Sequence, residues 1–259
     1  MPFDNHEFPQ VIPTPAHVSP GAEPPWAELS AQRRSGLSLD RVAQALRAAG
    51  RHFDVAQPPA EPAELRALVG GGVDVPITRR SSVLVALFEE DGEARVILTR
   101  RSIELKNHRG EVALPGGRND PGEDSVTTAL REAHEEVGLD PGDVTVVGWL
   151  SPIVTFASGS AIQPIVGLLS GRPNLVANPV EVERVFDVSL TDLLQADNFR
   201  EQRWRRDVPR PGADPDASVA IYFFRVPGEV VWGATGRVLA ELLAVATGTH
   251  TSLPRWSLG

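Results

Sequence analysis

Glu132, Glu135 and Glu136 put three carboxylates on one stretch of chain that reads as helix. Asp124 or Glu123 can cap its start and Gly138 ends it, while Val126, Ala129, Leu130, Ala133 and Val137 recur at helical spacing between them. At about 100° per residue those five apolar side chains span one arc of about 100° that should face a core. The three Glu fall in a neighbouring arc of similar width, so they share a face. Like charges that close disfavour each other's ionised form unless a cation sits among them. Hard divalent ions take oxygen ligands, which makes Mg²⁺ or Mn²⁺ the natural occupant. The plain alternative, for E-x-x-E-E taken alone, is a solvated acidic helix face.

The elements that must position this helix can be read around it. Ser82 to Phe88 is a buried-strand pattern, Glu90-Asp91-Gly92 a turn, and Ala94 to Thr99 the returning strand. Val144 to Leu150, Ile162 to Leu169 and Ala220 to Val226 carry further strand signals. Val180 to Leu194 reads as helical or turn-like pieces, and Gly236 to Thr247 as a closing helix. Mixed strands with a few helices and no regular βαβ alternation predict an α+β fold whose sheet is covered on both faces. Upstream, residues 1–36 are rich in Pro and polar residues, which predicts a disordered or loosely draped arm. Residues 37–75 predict a helical extension and linker, with one helix over Leu37 to Ala49, a second near Glu61 to Val69, and a boundary at Gly70-Gly71-Gly72. The catalytic domain is then expected over 76–248, with a tail over 249–259.

At 259 residues with 41% hydrophobic content, one sizeable catalytic domain is the expected count. The formal charge of −9 argues against non-specific binding to nucleic acid or to anionic membranes. With no cysteine there is no disulfide framework, thiol nucleophile or zinc-thiolate site. There is no apolar run of membrane-spanning length, and the N-terminal residues lack the basic and apolar regions of a signal peptide, so a cytoplasmic location is expected.

Gly117, Glu123, Arg131, Glu132, Glu135, Glu136, Gly138 and Leu139 stand at the spacing G-x₅-E-x₇-R-E-U-x-E-E-x-G-U, where U is a bulky apolar residue. The string resembles the Nudix box, with Ala133 small where the family usually has Ile, Leu or Val. The resemblance implies an α/β/α sandwich with a mixed sheet and a metal-binding loop-helix-loop. It also implies that Glu123 and Arg131 brace the loop, that Pro115-Gly116-Gly117 lets backbone approach the metal, and that a diphosphate linked to another moiety is hydrolysed.

Just upstream, LTRRSIELKNHRGEVALPGG (98–117) resembles the additional signature of coenzyme A pyrophosphatases, L-T-x-R-S-x₃-R-x₃-G-x₃-F-P-G-G. Leu98, Thr99, Arg101, Ser102, Gly110, Pro115, Gly116 and Gly117 match, whereas Lys106 stands for Arg and Leu114 for Phe. Lys keeps the charge but loses the planar fork that grips phosphate twice. Within the basic cluster of Arg100, Arg101, Lys106, His108 and Arg109, Arg101 and Lys106 are the expected substrate ligands because they occupy motif positions. Downstream, Thr155 to Gly167, Asn178 to Leu194 and Val231 to Leu243 resemble the T-x-x-S-G, N-P-x-E-V and Trp-Gly-Ala-Thr segments of that family. This adds Ser158 and Gly159 to the expected substrate ligands. Ser160 and Ala161 follow where relatives commonly carry an aromatic and a basic or polar residue.

By this resemblance the chain should cleave coenzyme A or a close derivative to 3′,5′-ADP and 4′-phosphopantetheine or its acyl form. Glu132, Glu135, Glu136 and the Gly117 carbonyl should hold Mg²⁺ or Mn²⁺, with the water's proton taken by Glu135, Glu136 or Glu181. The other readings are a Nudix pyrophosphatase for NADH, ADP-ribose or a nucleotide sugar, and a non-catalytic nucleotide sensor. A small-molecule substrate is the expected partner, and a homodimer is plausible by analogy with Nudix enzymes that pair through their sheets.

Overall fold

Two β-rich runs separated by two residues fold back as a hairpin because those two residues accept a left-handed backbone. Asp91 and Gly92 have φ of 53° and 77° between Glu90 and Glu93, the pairing that a tight mirror-image turn needs. The hairpin belongs to a computed structural model that describes residues 10–52, 79–105, 107–155, 160–205 and 218–249. Its strands are β2 (Arg79–Glu90) and β3 (Glu93–Arg101), preceded by a short β1 (His17–Pro20).

An eight-stranded mixed sheet forms around this hairpin. It uses β4 (Val112–Ala113), β5 (Gly116–Arg118), β6 (Val144–Trp149), β7 (Ile153–Thr155), β8 (Ser160–Leu169) and β9 (Val182–Ser189). β2 and β8 run parallel over nine registered pairs at its centre, and the remaining pairings are antiparallel. Period-two alternation then divides the sheet. Leu84, Ala86, Phe88, Ile97 and Ile165 face one apolar cluster, whereas Val85, Leu87, Val96, Leu98 and Val166 face the other.

The first cluster is covered by the helix predicted to carry the carboxylates, α3 (Ser125–Val137), through Ala129, Ala133 and Val137. The second is covered by α2 (Leu39–Ala48), α5 (Gly233–Thr247) and a separate antiparallel sheet of β1, β10 (Phe199–Arg205), β11 (Ser218–Val226) and β12 (Glu229–Val231). Two short helices, α1 (Ala31–Arg34) and α4 (Leu190–Leu193), and two 3-10 turns, Pro141–Asp143 and Ala196–Asn198, complete the described elements. Both faces of a mixed sheet are therefore covered, as the α+β reading requires. The second sheet was not anticipated.

Two expectations need correction. The segment Val180 to Leu194, read as helical or turn-like, is mainly strand β9, because β3 offers it seven registered partners from Arg95 to Arg101. Cross-strand ion pairs of Arg95 with Asp187 and Arg100 with Glu183 reinforce that choice. The arm expected to be disordered or loosely draped is, over 10–36, ordered but mostly exposed: β1 pairs with β10, and Trp26, which has no exposed surface, anchors it. Trp26 meets Phe199 edge-on at 5.2 Å between ring centroids and stacks on Phe224 at 6.3 Å. Leu37, Val42 and Leu46 of the expected extension join the same core. The second predicted helix near Glu61 to Val69 and the Gly70-Gly71-Gly72 boundary lie outside the described residues.

Removing a fully buried Trp leaves a cavity that its neighbours fill only in part. We expect Trp26→Ala to cost about 3–5 kcal/mol in urea unfolding. A loss below about 1 kcal/mol, the scale of many surface changes, would show that the arm is not part of the core.

Candidate active site

Helix α3 is bounded as its sequence demands. Asp124 accepts a 2.7 Å hydrogen bond from the Thr127 amide at the N-terminus, and Gly138 ends the helix in the left-handed region at φ 69°. Its buried stripe fixes the rotation, and that rotation decides what each Glu meets. Glu135 points outward, with 54% of its side chain exposed, while only 3% of the Glu136 side chain is exposed. The shared acidic face is thus divided, with Glu135 in solvent and Glu136 withdrawn from it.

Glu136 sits in a frame made of backbone and one guanidinium. Its Oε2 accepts from the Gly116 amide at 3.1 Å, and its Oε1 lies 3.6 Å from Arg101 Nη1. Gly116 can donate there because β5 runs hard against β2: a Cβ would overlap the Ser82 carbonyl and Val83, and φ is 153°. Burial pushes the Glu136 carboxyl up to about 7, with the negative Glu181 and Glu132 adding to the rise against the pull of Gly116 and Arg101. Glu132 is raised as well, chiefly by burial, with Glu135 and Glu181 contributing and Arg131 opposing.

Arg131 organises the outer side. It forms two hydrogen bonds to Glu123, at 2.9 and 3.1 Å, and reaches the Arg118 carbonyl at 3.1 Å. Its Nη1 lies 3.0 Å from Glu132 and 3.1 Å from Glu135. Glu123 also accepts from Thr128 Oγ1 and from the Asp120 amide, and these bonds, led by Arg131, hold its carboxyl down at about 2. The Thr128 contact had no counterpart in the sequence reading, since a five-residue offset follows no helical pairing rule.

Glu181 arrives from another direction. Its loop is stitched to α3 by the Asn178 amide on the Glu136 carbonyl at 2.8 Å and the Val176 amide on the Val137 carbonyl at 2.9 Å. It is stitched to the end of β3 by the Ser102 amide on the Glu181 carbonyl at 2.8 Å. Only a fold could bring this residue within electrostatic reach of Glu132 and Glu136.

The oxygen-only donors suit a hard divalent cation. Burial, with the neighbouring carboxylates adding to it, raises the Glu132 and Glu136 carboxyls, and a Cβ at residue 117 would overlap the Glu132 carboxylate where it now stands. Among the described residues, however, no three acidic or His side chains are gathered into a closed cage, because Arg131 lies between Glu132 and Glu135. The arrangement is an open oxygen face with Glu132, Glu136 and the Gly117 backbone as its inner part.

The expected basic cluster is divided. Arg101 faces Glu136, but Arg100 leaves the opposite face of β3 to bind Glu183 and the buried Glu229, the latter at 2.9 Å. His108 pairs with Glu111 at 3.0 Å. Leu114 is buried in the core, in line with a packing role. Lys106, Ser158 and Gly159 lie outside the described residues.

The chain is similar in sequence to known proteins. The NUDIX domain model matches residues 78–208. Nudix hydrolase 3 of Caenorhabditis elegans is 36% identical over 176 residues, covering 63% of this chain and 72% of that protein. Nudix hydrolase 15, mitochondrial, of Arabidopsis thaliana is 39% identical over 176 residues, covering 64% of this chain but only 58% of its own length. The Nudix hydrolase NudL of Photorhabdus laumondii is 38% identical over 165 residues, covering 63% of this chain and 83% of that one. Among solved structures, a MutT/nudix family protein from Enterococcus faecalis is 15% identical, covers 71% of this chain and 68% of its own, and has a TM-score of 0.45. The chain belongs to the Nudix family, hydrolases that act on pyrophosphate bonds of small molecules and generally use divalent cations.

Because the folded-state value of Glu136 lies above its ordinary 4.5, the folded protein keeps this proton longer than the unfolded one. Stability should therefore fall as pH rises from about 4.5 to about 7, by at most about 3 kcal/mol. In chelator, Glu136→Gln should melt above wild type at pH 8, with the advantage lost near pH 4. Added Mn²⁺ should raise the wild-type Tm more than the variant's. A variant less stable than wild type at pH 8 without metal would contradict the burial argument.

Proposed function

We propose that the chain hydrolyses the pyrophosphate of coenzyme A or its acyl derivatives, releasing 3′,5′-ADP and 4′-phosphopantetheine or its acyl form. One observation carries the reading: Arg101, a position of the coenzyme A signature, stands 3.6 Å from Glu136, a position of the box. A cation held next to a negative site can meet phosphate oxygens that arrive there. Lys106, Ser158 and Gly159 are proposed as further substrate contacts on the strength of the resemblance alone.

One or more Mg²⁺ or Mn²⁺ ions on Glu132, Glu135, Glu136 and the Gly117 carbonyl would supply charge neutralisation at the phosphate and an acidified water. The chain's own groups prepare that chemistry. Arg131 and Glu123 hold the loop from Arg118 to Asp124 against the helix, so the Gly117 backbone stays beside Glu132. Gly116 and Arg101 favour the charged form of Glu136 against its burial. Glu181, reaching the site from its own loop, is the proposed acceptor of the water's proton, with Glu135 and Glu136 as the other candidates.

The substrate is taken to be a free small molecule. No helix among the described residues is long and apolar enough to cross a membrane. A cytoplasmic setting, with which the cysteine-free sequence is compatible, and a homodimer by analogy complete the proposal.

Incubation of purified protein and Mn²⁺ with coenzyme A, acetyl-coenzyme A, NADH and ADP-ribose separates the readings. Turnover led by coenzyme A is the expected result; preference for NADH would overturn the substrate, and no turnover of any would leave a sensor. Glu135→Gln and Glu136→Gln should each lower kcat by orders of magnitude while the circular dichroism spectrum is kept. Glu181→Gln should lower kcat with little change in KM if this carboxylate is the base.

A further inference from the structure

β5 pairs with the start of β2, with Ser81 opposite Arg118. That register brings Arg118 and Asn119 alongside Arg79 and Arg80, and these four residues with the turn at 120–124 line a cavity of about 600 Å³. Three guanidinium-bearing residues thus border one recess. Two of the three acids in the turn are already committed, Glu123 to Arg131 and Thr128, and Asp124 to the helix cap.

Asn119 adds a directional clue. Its amide donates to the Arg80 carbonyl at 3.0 Å and its Oδ1 accepts from Ser82 Oγ at 3.0 Å, while its buried Nδ2 has no partner among the described residues. A buried donor without an acceptor is costly, and an oxygen brought by a ligand would satisfy it. Arginines with a spare amide donor are the chemistry that recognises a phosphate monoester, whose doubly charged oxygens accept forked hydrogen bonds.

The recess adjoins the candidate site through a single residue. The Arg118 carbonyl accepts from Arg131 Nη2, and Arg131 Nη1 lies 3.0 Å from Glu132. A ligand that spans both would present one phosphate group to the carboxylate face and another to the arginines.

We propose that this recess holds an uncleaved phosphate monoester of the substrate, so that the enzyme prefers nucleotides bearing a sugar phosphate in addition to the pyrophosphate. The assignment rests on the pyrophosphatase reading and sharpens it: coenzyme A has such a 3′-phosphate, and NADH and ADP-ribose have none.

The test compares kcat/KM for coenzyme A and 3′-dephospho-coenzyme A in wild type, Arg80→Ser and Arg118→Ser. Wild type should prefer the phosphorylated substrate by about tenfold or more, the scale of one lost charge-assisted contact. That ratio should fall toward one in both variants, mainly through KM, and Arg118→Lys should restore part of it. Equal use of both substrates by wild type, or a parallel fall for both substrates in both variants, would overturn the assignment.

If neither substrate is turned over, the activity reading fails and the recess is judged by calorimetric titration with adenosine 3′,5′-bisphosphate, AMP and inorganic phosphate. Bisphosphate binding about tenfold tighter than AMP in wild type, with the difference lost in Arg118→Ser, supports the recess independently of catalysis. Equal binding of the two nucleotides overturns it. Inorganic phosphate binding as tightly as the bisphosphate also overturns it, by assigning the recess to free phosphate.

Discussion

A carboxylate withdrawn from water beside other carboxylates needs either a proton or a cation, and Glu136 is that carboxylate. Its helix could have turned the residue outward at no cost to the apolar stripe of Ala129, Ala133 and Val137 only if the stripe itself were narrower. With the stripe buried against Leu84, Ala86 and Phe88, residue 136 is carried to the rim of the core, where the Gly116 amide and Arg101 are the groups that offset its desolvation. Packing and charge are therefore coupled in one residue. The same rotation that buries Val137 draws this carboxylate out of water, so the raised pKa of Glu136 arises from a requirement of the core.

The loop before the helix is held by a different device. Glu123 and Arg131 form a forked pair with an extra hydroxyl and amide on the carboxylate, so the acid stays ionised down to about pH 2. Exposed ion pairs are usually weak, but a planar fork fixed at both ends constrains direction as well as distance. Arg131 then extends to Glu132, Glu135 and the Arg118 carbonyl, which makes it a hub between the outer carboxylates and the inner frame. Substitution by Lys would keep the charge and lose most of these simultaneous contacts.

Local pattern made the helix, its caps and the hairpin legible in the sequence, because each depends on neighbours a few residues away. Ser125 to Val137 shows helical periodicity bounded by Asp124 and Gly138, and Asp91-Gly92 is a turn signal in its own right. Partners supplied from afar were not legible. β9 carries Val182, Val185, Phe186 and Val188 at spacings that mimic a helix, and only pairing with β3 settles its state. Trp26 sits in a Pro-rich stretch whose composition suggests disorder, yet a single large ring matched to Phe199 and Phe224 anchors it. In the site, the box positions could be named from spacing, whereas the Gly116 amide, Thr128 and the Asn178 tie depend on how loops meet.

Arg100 and Arg101 show how one backbone irregularity sorts function from support. Consecutive strand residues point to opposite faces, so one guanidinium is committed to the buried Glu229 between the sheets while the next meets Glu136. The β3–β9 register shifts between these two residues, leaving Glu183 as an extra residue on β9, and its carboxylate binds Arg100. A bulge of this kind bends the strand and re-aims the residues beyond it. Just beyond this one, the Ser102 amide donates to the Glu181 carbonyl, the contact that fixes the loop bearing Glu181 beside Glu132 and Glu136. Had the ladder continued in register, Glu181 would have paired as a strand residue opposite a different partner. The acidic side chain that reaches the site from outside the helix thus owes its place to a one-residue insertion in the sheet.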